Sequence, residues 1–107
     1  MLEKLENVTA TLKANVYFDG KVVSHTFELK NGSKKTAGLI YPGQYKFGTK
    51  AAERMDILEG SCKVRLLGQN DWKVYEAGTF FEVPANSSFE IAVVSGIAQY
   101  LCSYKKG

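Results

Sequence analysis

Apolar and polar residues alternate along most of the chain from residue 21 onward. A two-residue period is typical of a half-buried β-strand, because successive side chains point to opposite faces. Turn signals such as Asn31-Gly32-Ser33 and Pro42-Gly43 separate the alternating runs. The pattern predicts strands over residues 23–29, 36–41, 44–49, 55–58, 62–67, 72–75, 79–83, 89–93 and 97–104. In the first strand the apolar residues fall on odd positions, which favours burial of Val23 and Phe27.

Two segments depart from this strand pattern. Residues 50–55 could hold a helical turn, because Ala51-Ala52-Glu53 lies within them. In residues 1–14, Leu2, Leu5 and Val8 have helical spacing, yet residues 8–12 fit a strand equally well. Many short strands between turn signals favour an all-β sandwich or barrel. The 107 residues contain no internal repeat or linker, so we expect one domain.

Composition and charge narrow the class of protein. Hydrophobic residues make up 45% of the chain and charged residues 23%, which is ordinary for a globular domain. The net charge of +3 indicates a mildly basic surface. The sequence lacks the strong basic patch with interspersed aromatic residues that is typical of nucleic-acid-binding proteins. No apolar stretch approaches the roughly 20 residues of a membrane span, and residues 1–6 lack a signal-peptide pattern. We therefore expect a cytoplasmic protein without nucleic-acid or membrane partners.

Cysteine and histidine are scarce. Cys62 and Cys102 are far apart and form no metal-binding pair, so buried free thiols are expected in a reducing compartment. His25 is the single histidine, which excludes most multi-histidine metal sites. It lies on the strand face that also carries Val23 and Phe27, and we interpret it as a structural residue.

Two spacings in the second half of the chain resemble the motifs of the cupin superfamily. Glu53 is followed after six residues by Gly60, and Gly78 is followed after five residues by Pro84. Cupins are small double-sheet barrels of the jelly-roll kind, so the resemblance implies that fold. It also implies that the side chain of Glu53 points into the barrel.

The metal ligands of most cupins are missing from these motifs. Where metal-binding members carry a His-x-His pair, this chain has Phe47 and Thr49, and Phe89 occupies the place of the third histidine. Glu53 alone cannot hold a divalent cation. The resemblance therefore implies a cupin without a metal site, and a metal-dependent oxidoreductase is disfavoured.

Longer runs resemble one cupin family in particular. Residues 71–78 read Asp-Trp-Lys-Val-Tyr-Glu-Ala-Gly, and residues 100–104 read Tyr-Leu-Cys-Ser-Tyr. Over residues 15–104 the chain resembles the pyrimidine/purine nucleoside phosphorylases, which are small metal-independent cupins. We divide it into an N-terminal extension, 1–14, and a cupin domain, 15–107. The resemblance implies a homodimer that cleaves nucleosides with inorganic phosphate as co-substrate and no cofactor, giving free base and pentose 1-phosphate.

The candidate site residues follow from the strand registers and this resemblance. Glu53 is the expected catalytic residue, as acceptor for ribose hydroxyls. Tyr45, Phe47, Thr49 and Phe89 share the barrel interior and are expected to bind substrate, with plain core packing as the alternative for the aromatic rings.

Phenols on the last strand complete the candidate set. Tyr100 and Tyr104 lie on one face with Cys102 between them, and either could donate toward base or phosphate. Tyr17 and Tyr41 are further phenols, and a buried structural tyrosine is the alternative for each.

The phosphate ligand is left open by the sequence. Arginine suits phosphate, but alternation turns Arg65 away from the interior, as it does Lys46. Arg54 is the other arginine, and backbone N–H groups near residues 48–49 or 84–86 are a further alternative. The alternative function is a noncatalytic cupin that binds a small ligand, and an RNA-binding barrel is more distant. The preferred nucleoside is not readable from the sequence.

Overall fold

Antiparallel β-strands make up most of the computed structural model, which describes residues 4–105. Leu2 and the basic residue Lys106, which entered the sequence interpretation, lie outside the described residues. Residues Phe18–Gly20 form a 3-10 turn. The strands are β1 Thr9–Ala10, β2 Asn15–Tyr17, β3 Val22–Glu28, β4 Lys34–Ile40, β5 Gly43–Gly48, β6 Glu53–Glu59, β7 Ser61–Leu66, β8 Lys73–Glu76, β9 Phe80–Val83, β10 Ser88–Val93 and β11 Ala98–Tyr104.

Two antiparallel sheets form the framework. The larger has the order β1-β3-β4-β11-β6-β9, and β2 also pairs with β3. The smaller has the order β5-β10-β7-β8. Because strands that are distant in sequence lie side by side, the chain crosses repeatedly between the sheets. The prediction of an all-β double-sheet barrel is confirmed.

Apolar side chains from both sheets form one core. Ile57 of the larger sheet and Ile91 of the smaller are fully buried. Each such side chain contributes roughly 1.5–3 kcal/mol by leaving water. The cluster also contains Val22, Ile40, Tyr45, Met55, Cys62, Val64, Phe81, Val83, Phe89, Val93, Ala98, Tyr100 and Cys102. This packing joins the two sheets and leaves a space between them at one side of the core.

The register of β3 is opposite to the one that its hydrophobicity favours. Val22 and Ser24 face the interior at 1% and 2% exposure, whereas Val23 and Phe27 are only half-buried. The backbone N–H of Thr11 bonds the carbonyl of Thr26 at 2.9 Å, which lays the preceding segment along this edge. The interior accepts a serine because a cavity lies there. The prediction that the odd positions of this strand form its buried face is therefore wrong.

The helical turn predicted over residues 50–55 is also wrong. Residues 50–52 are extended or bent, and β6 begins at Glu53. The carbonyl of Lys50 accepts from Asn86 N–H at 3.2 Å, and the carbonyl of Ala52 accepts from Lys105 N–H at 2.8 Å. These bonds to other segments replace the local ones that a helix would need.

The predicted N-terminal extension, 1–14, includes a strand that joins the sheet. In β1, Thr9 and Ala10 pair with Glu28 and Phe27 of β3. Of the alternatives left open for this segment, the strand is therefore observed at residues 9–10. Among residues 4–105, no helix is long and apolar enough to cross a membrane.

Candidate functional site

A cavity of about 620 Å³ opens between the two sheets. This volume lies within the range of small-molecule sites, roughly 300–1,000 Å³. Its lining brings together five of the seven residues expected in the site, namely Glu53, Phe47, Phe89, Tyr100 and Tyr104. The other lining residues are Val16, Tyr17, Phe18, Val22, Ser24, Thr36, Ile40, Lys46, Gly48, Met55, Ile91 and Cys102.

The larger sheet supplies a polar wall. Glu53 at the start of β6 pairs with Tyr104 at the end of β11, so both side chains lie on the cavity side. The Cys102 thiol donates to Glu53 Oε1 at 3.3 Å. The hydroxyls of Thr36 and Tyr104 are hydrogen-bonded at 3.4 Å. One carboxylate, one thiol and two hydroxyls are therefore held together by neighbouring strands.

Burial controls the protonation of this polar wall. It raises the pKa of Glu53, although the hydrogen bond from Cys102 partly offsets the rise. It raises the pKa of Tyr100 to about 12 and also raises the pKa values of Tyr104 and of the Cys102 thiol. At neutral pH the phenols and the thiol are protonated, so they act as hydrogen-bond donors around a carboxylate that accepts.

The smaller sheet supplies an aromatic wall. Phe47 of β5 and Phe89 of β10 are register partners, and their stacked rings lie 5.7 Å apart with planes inclined by 26°. Phe81 meets Phe89 edge to face at 5.7 Å, which fixes the Phe89 ring from behind. The cavity therefore has flat apolar carbon opposite a carboxylate, a combination that suits a ligand with a flat ring and a polyhydroxyl part.

Tyr45 and Thr49, the other two expected site residues, are buried but do not line the cavity. The Tyr45 hydroxyl donates to the carbonyl of Tyr41 at 2.7 Å and lies 3.0 Å from that of Pro42. Thr49 Oγ1 donates to the carbonyl of Pro84 at 2.7 Å. The structure thus gives both side chains bonds that stabilise the barrel, and it does not bring them to the other five.

Sequence reasoning missed three polar or aromatic lining residues, Ser24, Thr36 and Phe18, and named Tyr17 only as a further phenol. Ser24 and Thr36 are small polar residues on inward positions of β3 and β4, and the apolar pattern of those strands gave no sign of them. Tyr17 and Phe18 reach the cavity from β2 and the 3-10 turn. Their signal was the pair of aromatic residues immediately before Asp19-Gly20, a turn sequence.

Both arginines are engaged outside the cavity. Arg65 binds Glu90 at 2.9 Å and its guanidinium lies over the Trp72 ring. Arg54 binds Asp56 at 3.2 Å and lies 3.8 Å from the centre of the Phe80 ring. Among the residues that line the cavity, Lys46 is the one cation.

The backbone donors considered for phosphate are largely occupied. Thr49 N–H bonds the carbonyl of Ser87 at 2.9 Å, and Asn86 N–H bonds that of Lys50 at 3.2 Å. Ser87 N–H is bonded to Thr49 Oγ1 at 3.0 Å. These bonds reduce the number of N–H groups that are available to an anion at residues 48–49 and 84–86.

Metal ligands were expected to be missing. The residues described by the structure contain no group of three His, Cys, Asp or Glu side chains that could hold a metal ion. Within residues 4–105, Cys102 is the potential metal ligand that is hydrogen-bonded to Glu53, and its thiol is protonated and donates to the carboxylate. The donor set around Glu53 therefore does not fit the metal centre of other cupins. Cys62 and Cys102 are both buried and unpaired, in agreement with the expectation.

The fold and its internal cavity define a class, the cupins. The structure of the Bacillus subtilis oxalate decarboxylase matches this chain with a TM-score of 0.75 and 14% identity. The match covers 100% of this chain and 31% of the decarboxylase, and it shows that the two share a fold. The model of the family described as pyrimidine/purine nucleoside phosphorylase matches residues 12–104. The chain belongs to that family.

Individual relatives agree with this assignment. A pyrimidine/purine nucleoside phosphorylase of Thiobacillus denitrificans is 50% identical over 103 residues, which is 96% of this chain and 99% of that protein. The crystal structure of a protein of unknown function from Acinetobacter sp. ADP1 has a TM-score of 0.92 and 36% identity. The match covers 95% of this chain and 98% of the Acinetobacter chain.

Proposed function

We propose that this protein is a pentosyltransferase that cleaves purine and pyrimidine nucleosides by phosphorolysis. The curated relatives that match nearly the whole chain carry the phosphorylase name. The observation that carries the proposal is the cavity that places Glu53 opposite the stacked pair Phe47 and Phe89. A nucleoside has a flat apolar base and a hydroxyl-rich sugar, and these two walls match its two halves.

In the proposed reaction the N-glycosidic bond breaks and a bond from C1′ to a phosphate oxygen forms. The bonding electron pair leaves with the base nitrogen, and the base takes up the proton that the attacking hydrogen phosphate gives up. Glu53 accepts hydrogen bonds from ribose hydroxyls, and its negative charge favours the positive charge that develops on the sugar. Protonated Tyr100 and Tyr104 donate toward the leaving base or the phosphate. All these groups act by holding the reactants in place within a partly enclosed site.

We assign the phosphate to the side of the cavity near Lys46. Arg54 and Arg65 are paired with carboxylates outside the cavity, whereas Lys46 lies among its lining residues. We expect Lys46→Gln to raise the KM for phosphate roughly tenfold, since one charged contact to phosphate is lost. Lys63→Gln is the matched control, because Lys63 is exposed on β7 of the same sheet and does not line the cavity. An unchanged KM for phosphate in Lys46→Gln would remove Lys46 from this role.

The central experiment measures base release. Purified protein is incubated with uridine or adenosine, with and without inorganic phosphate, and the free base and pentose 1-phosphate are separated by chromatography. We expect both products to appear only with phosphate and to persist after treatment with a chelator, because the proposal needs no metal. Nucleoside binding without any cleavage would favour the noncatalytic ligand-binding cupin instead. Base release that stops after chelation would overturn metal independence.

A further inference from the structure

Two aromatic residues reach the cavity from the edge of the larger sheet. They lie in the strap, which we define as β2 and the following 3-10 turn, residues 15–20. Tyr17 and Phe18 line the cavity, yet their exposed fractions are 45% and 44%. Side chains that are half in water and half in a cavity wall lie at its entrance.

The strap has a strained backbone at this point. The φ angles of Phe18 and Asp19 are +52° and +56°, in the left-handed region that residues with a Cβ rarely adopt. A bulky aromatic residue is especially unusual there, and strain of this kind collects at ligand sites. A glycine at position 18 would relieve it, so the presence of Phe18 indicates that the ring itself has a use.

Both ends of the strap are anchored, so the strain cannot relax by displacement of the whole segment. The Asn15 amide donates to Ser24 Oγ at 3.2 Å and to Thr26 Oγ1 at 3.0 Å. At the other end, Lys21 N–H bonds the carbonyl of Phe18 at 3.2 Å, and Tyr41 N–H bonds that of Lys21 at 2.9 Å. The anchors fix where the two rings stand relative to the smaller sheet.

The rings of the strap meet the aromatic wall at right angles. Phe18 and Phe47 are 5.4 Å apart with planes at 88°, and Tyr17 and Phe47 are 5.8 Å apart with planes at 84°. Phe18 also contacts Tyr45 at 5.0 Å. Aromatic carbon therefore borders the entrance on more than one side.

We propose that Phe18 is a base-binding residue, whose ring stacks on a face of the nucleobase while Phe47, at right angles to it, contacts the edge of the base. The inference rests on the proposed function, and it explains how one site would accept both purine and pyrimidine bases. Every base has a π-face, so stacking on aromatic side chains tolerates differences at the base edges. The hydroxyl-rich sugar then lies deeper, against Glu53 and its neighbours.

The test compares Phe18→Ala, Phe18→Leu and Phe18→Tyr with the wild-type chain. We expect Phe18→Ala to raise the KM for uridine and for adenosine by similar factors, roughly five- to a hundredfold, with little change in kcat. Phe18→Leu keeps an apolar side chain without a ring and shows most of that loss, whereas Phe18→Tyr restores binding. Leu12→Ala is the control, since Leu12 is apolar, 89% exposed and absent from the cavity lining. The KM for phosphate stays constant in all four variants.

Calorimetric titration with uridine, in the absence of phosphate, separates the two proposals. If the wild-type chain neither binds nor cleaves nucleosides, the proposed function fails and the role of Phe18 fails with it. If the wild-type chain does both and Phe18→Ala or Phe18→Leu keeps its affinity, only the base-binding role of Phe18 is overturned. Thermal melting of each variant identifies any that does not fold, and Phe18→Leu then decides the outcome.

Discussion

At the scale of single residues, the position of Glu53 is unfavourable for its charge but suits its proposed role. Its carboxylate lies in a wall where burial raises its pKa, so the charged form is less stable there than in water. The same carboxylate is the proposed acceptor for the sugar. The charged carboxylate is the form needed for the proposed chemistry, and it is also the form that lowers folding stability. This combination is typical of a functional position.

We expect Glu53→Gln to lower phosphorolysis by about tenfold or more, a loss of about 1.4 kcal/mol or more in transition-state stabilisation. The folded-state pKa of Glu53 lies above the unfolded value, so its contribution to stability is fully present below the ordinary glutamate pKa. That contribution is lost as the pH rises through the raised pKa. At neutral pH the glutamine variant should therefore be at least as stable as the wild-type chain, as measured by denaturant unfolding. Unchanged turnover in a folded variant would exclude Glu53 from the site.

Cys102 partly offsets the effect of burial on the pKa of Glu53. Its hydrogen bond at 3.3 Å lowers the pKa of Glu53 against the larger effect of burial. If ionised Glu53 is the active form, turnover rises with pH through that pKa. We expect Cys102→Ala to move this acid limb of kcat/KM to higher pH and Cys102→Ser, a stronger donor, to move it lower.

The control for Cys102 is Cys62→Ala. Cys62 is equally buried, but it lies in the core and not in the cavity lining. Its loss should lower the melting temperature without moving the acid limb. If both cysteine variants gave the same pH profile, the thiol of Cys102 would have no influence on Glu53.

At the scale of elements, Thr49 connects the end of β5 to the segment that precedes β10. Its hydroxyl donates to the carbonyl of Pro84 and accepts from Ser87 N–H, and its own N–H bonds the carbonyl of Ser87. Removing the hydroxyl leaves the carbonyl of Pro84 and the N–H of Ser87 without this partner. This connection matters to the cavity because Phe47 and Phe89 belong to the two strands that it joins.

We expect Thr49→Val to destabilise the fold by about 1–3 kcal/mol while the KM for nucleosides stays near the wild-type value. Thermal melting and steady-state kinetics measure the two effects. A large rise in KM with no loss of stability would instead support the substrate-binding role that the resemblance implied for Thr49.

The strand pattern and the motif spacings were readable from the sequence to different degrees. Alternation located nine of the strands because each has one buried face and lies between turn residues. It failed on β3, where the inward face is Val22 and Ser24, since residues that line a cavity need not be apolar. The helical turn near Ala51 failed because bonds to distant segments outweighed local preference. Phe47, Phe89 and Glu53 were found from motif positions. The strap had one local signal, its aromatic pair before a turn, and its place at the cavity depends on long-range contacts.

At the scale of the whole molecule, apolar side chains remain exposed on edge strands. Val74 of β8 is 58% exposed and Phe80 of β9 is 47% exposed, and each strand is at the edge of its sheet. Exposed edges with apolar residues favour association with another chain.

We propose a homodimer and expect light scattering at micromolar concentration to give twice the chain mass of 11.8 kDa. A mass of one chain under these conditions would refute it. Val74→Glu and Phe80→Glu, measured separately, identify which edge contributes, because a charge within a buried interface disfavours association.

The position of Cys102 on the cavity wall also makes the occupied and free states chemically distinguishable. Cys102 is 2% exposed and its thiol is protonated and lines the cavity, so we expect a small neutral alkylating reagent to reach it through the cavity and to react slowly. A molecule seated between the two walls would block that approach. The rate of Cys102 alkylation, read by mass spectrometry in a Cys62→Ala background, therefore gives a footprint of ligand occupancy that does not depend on any turnover.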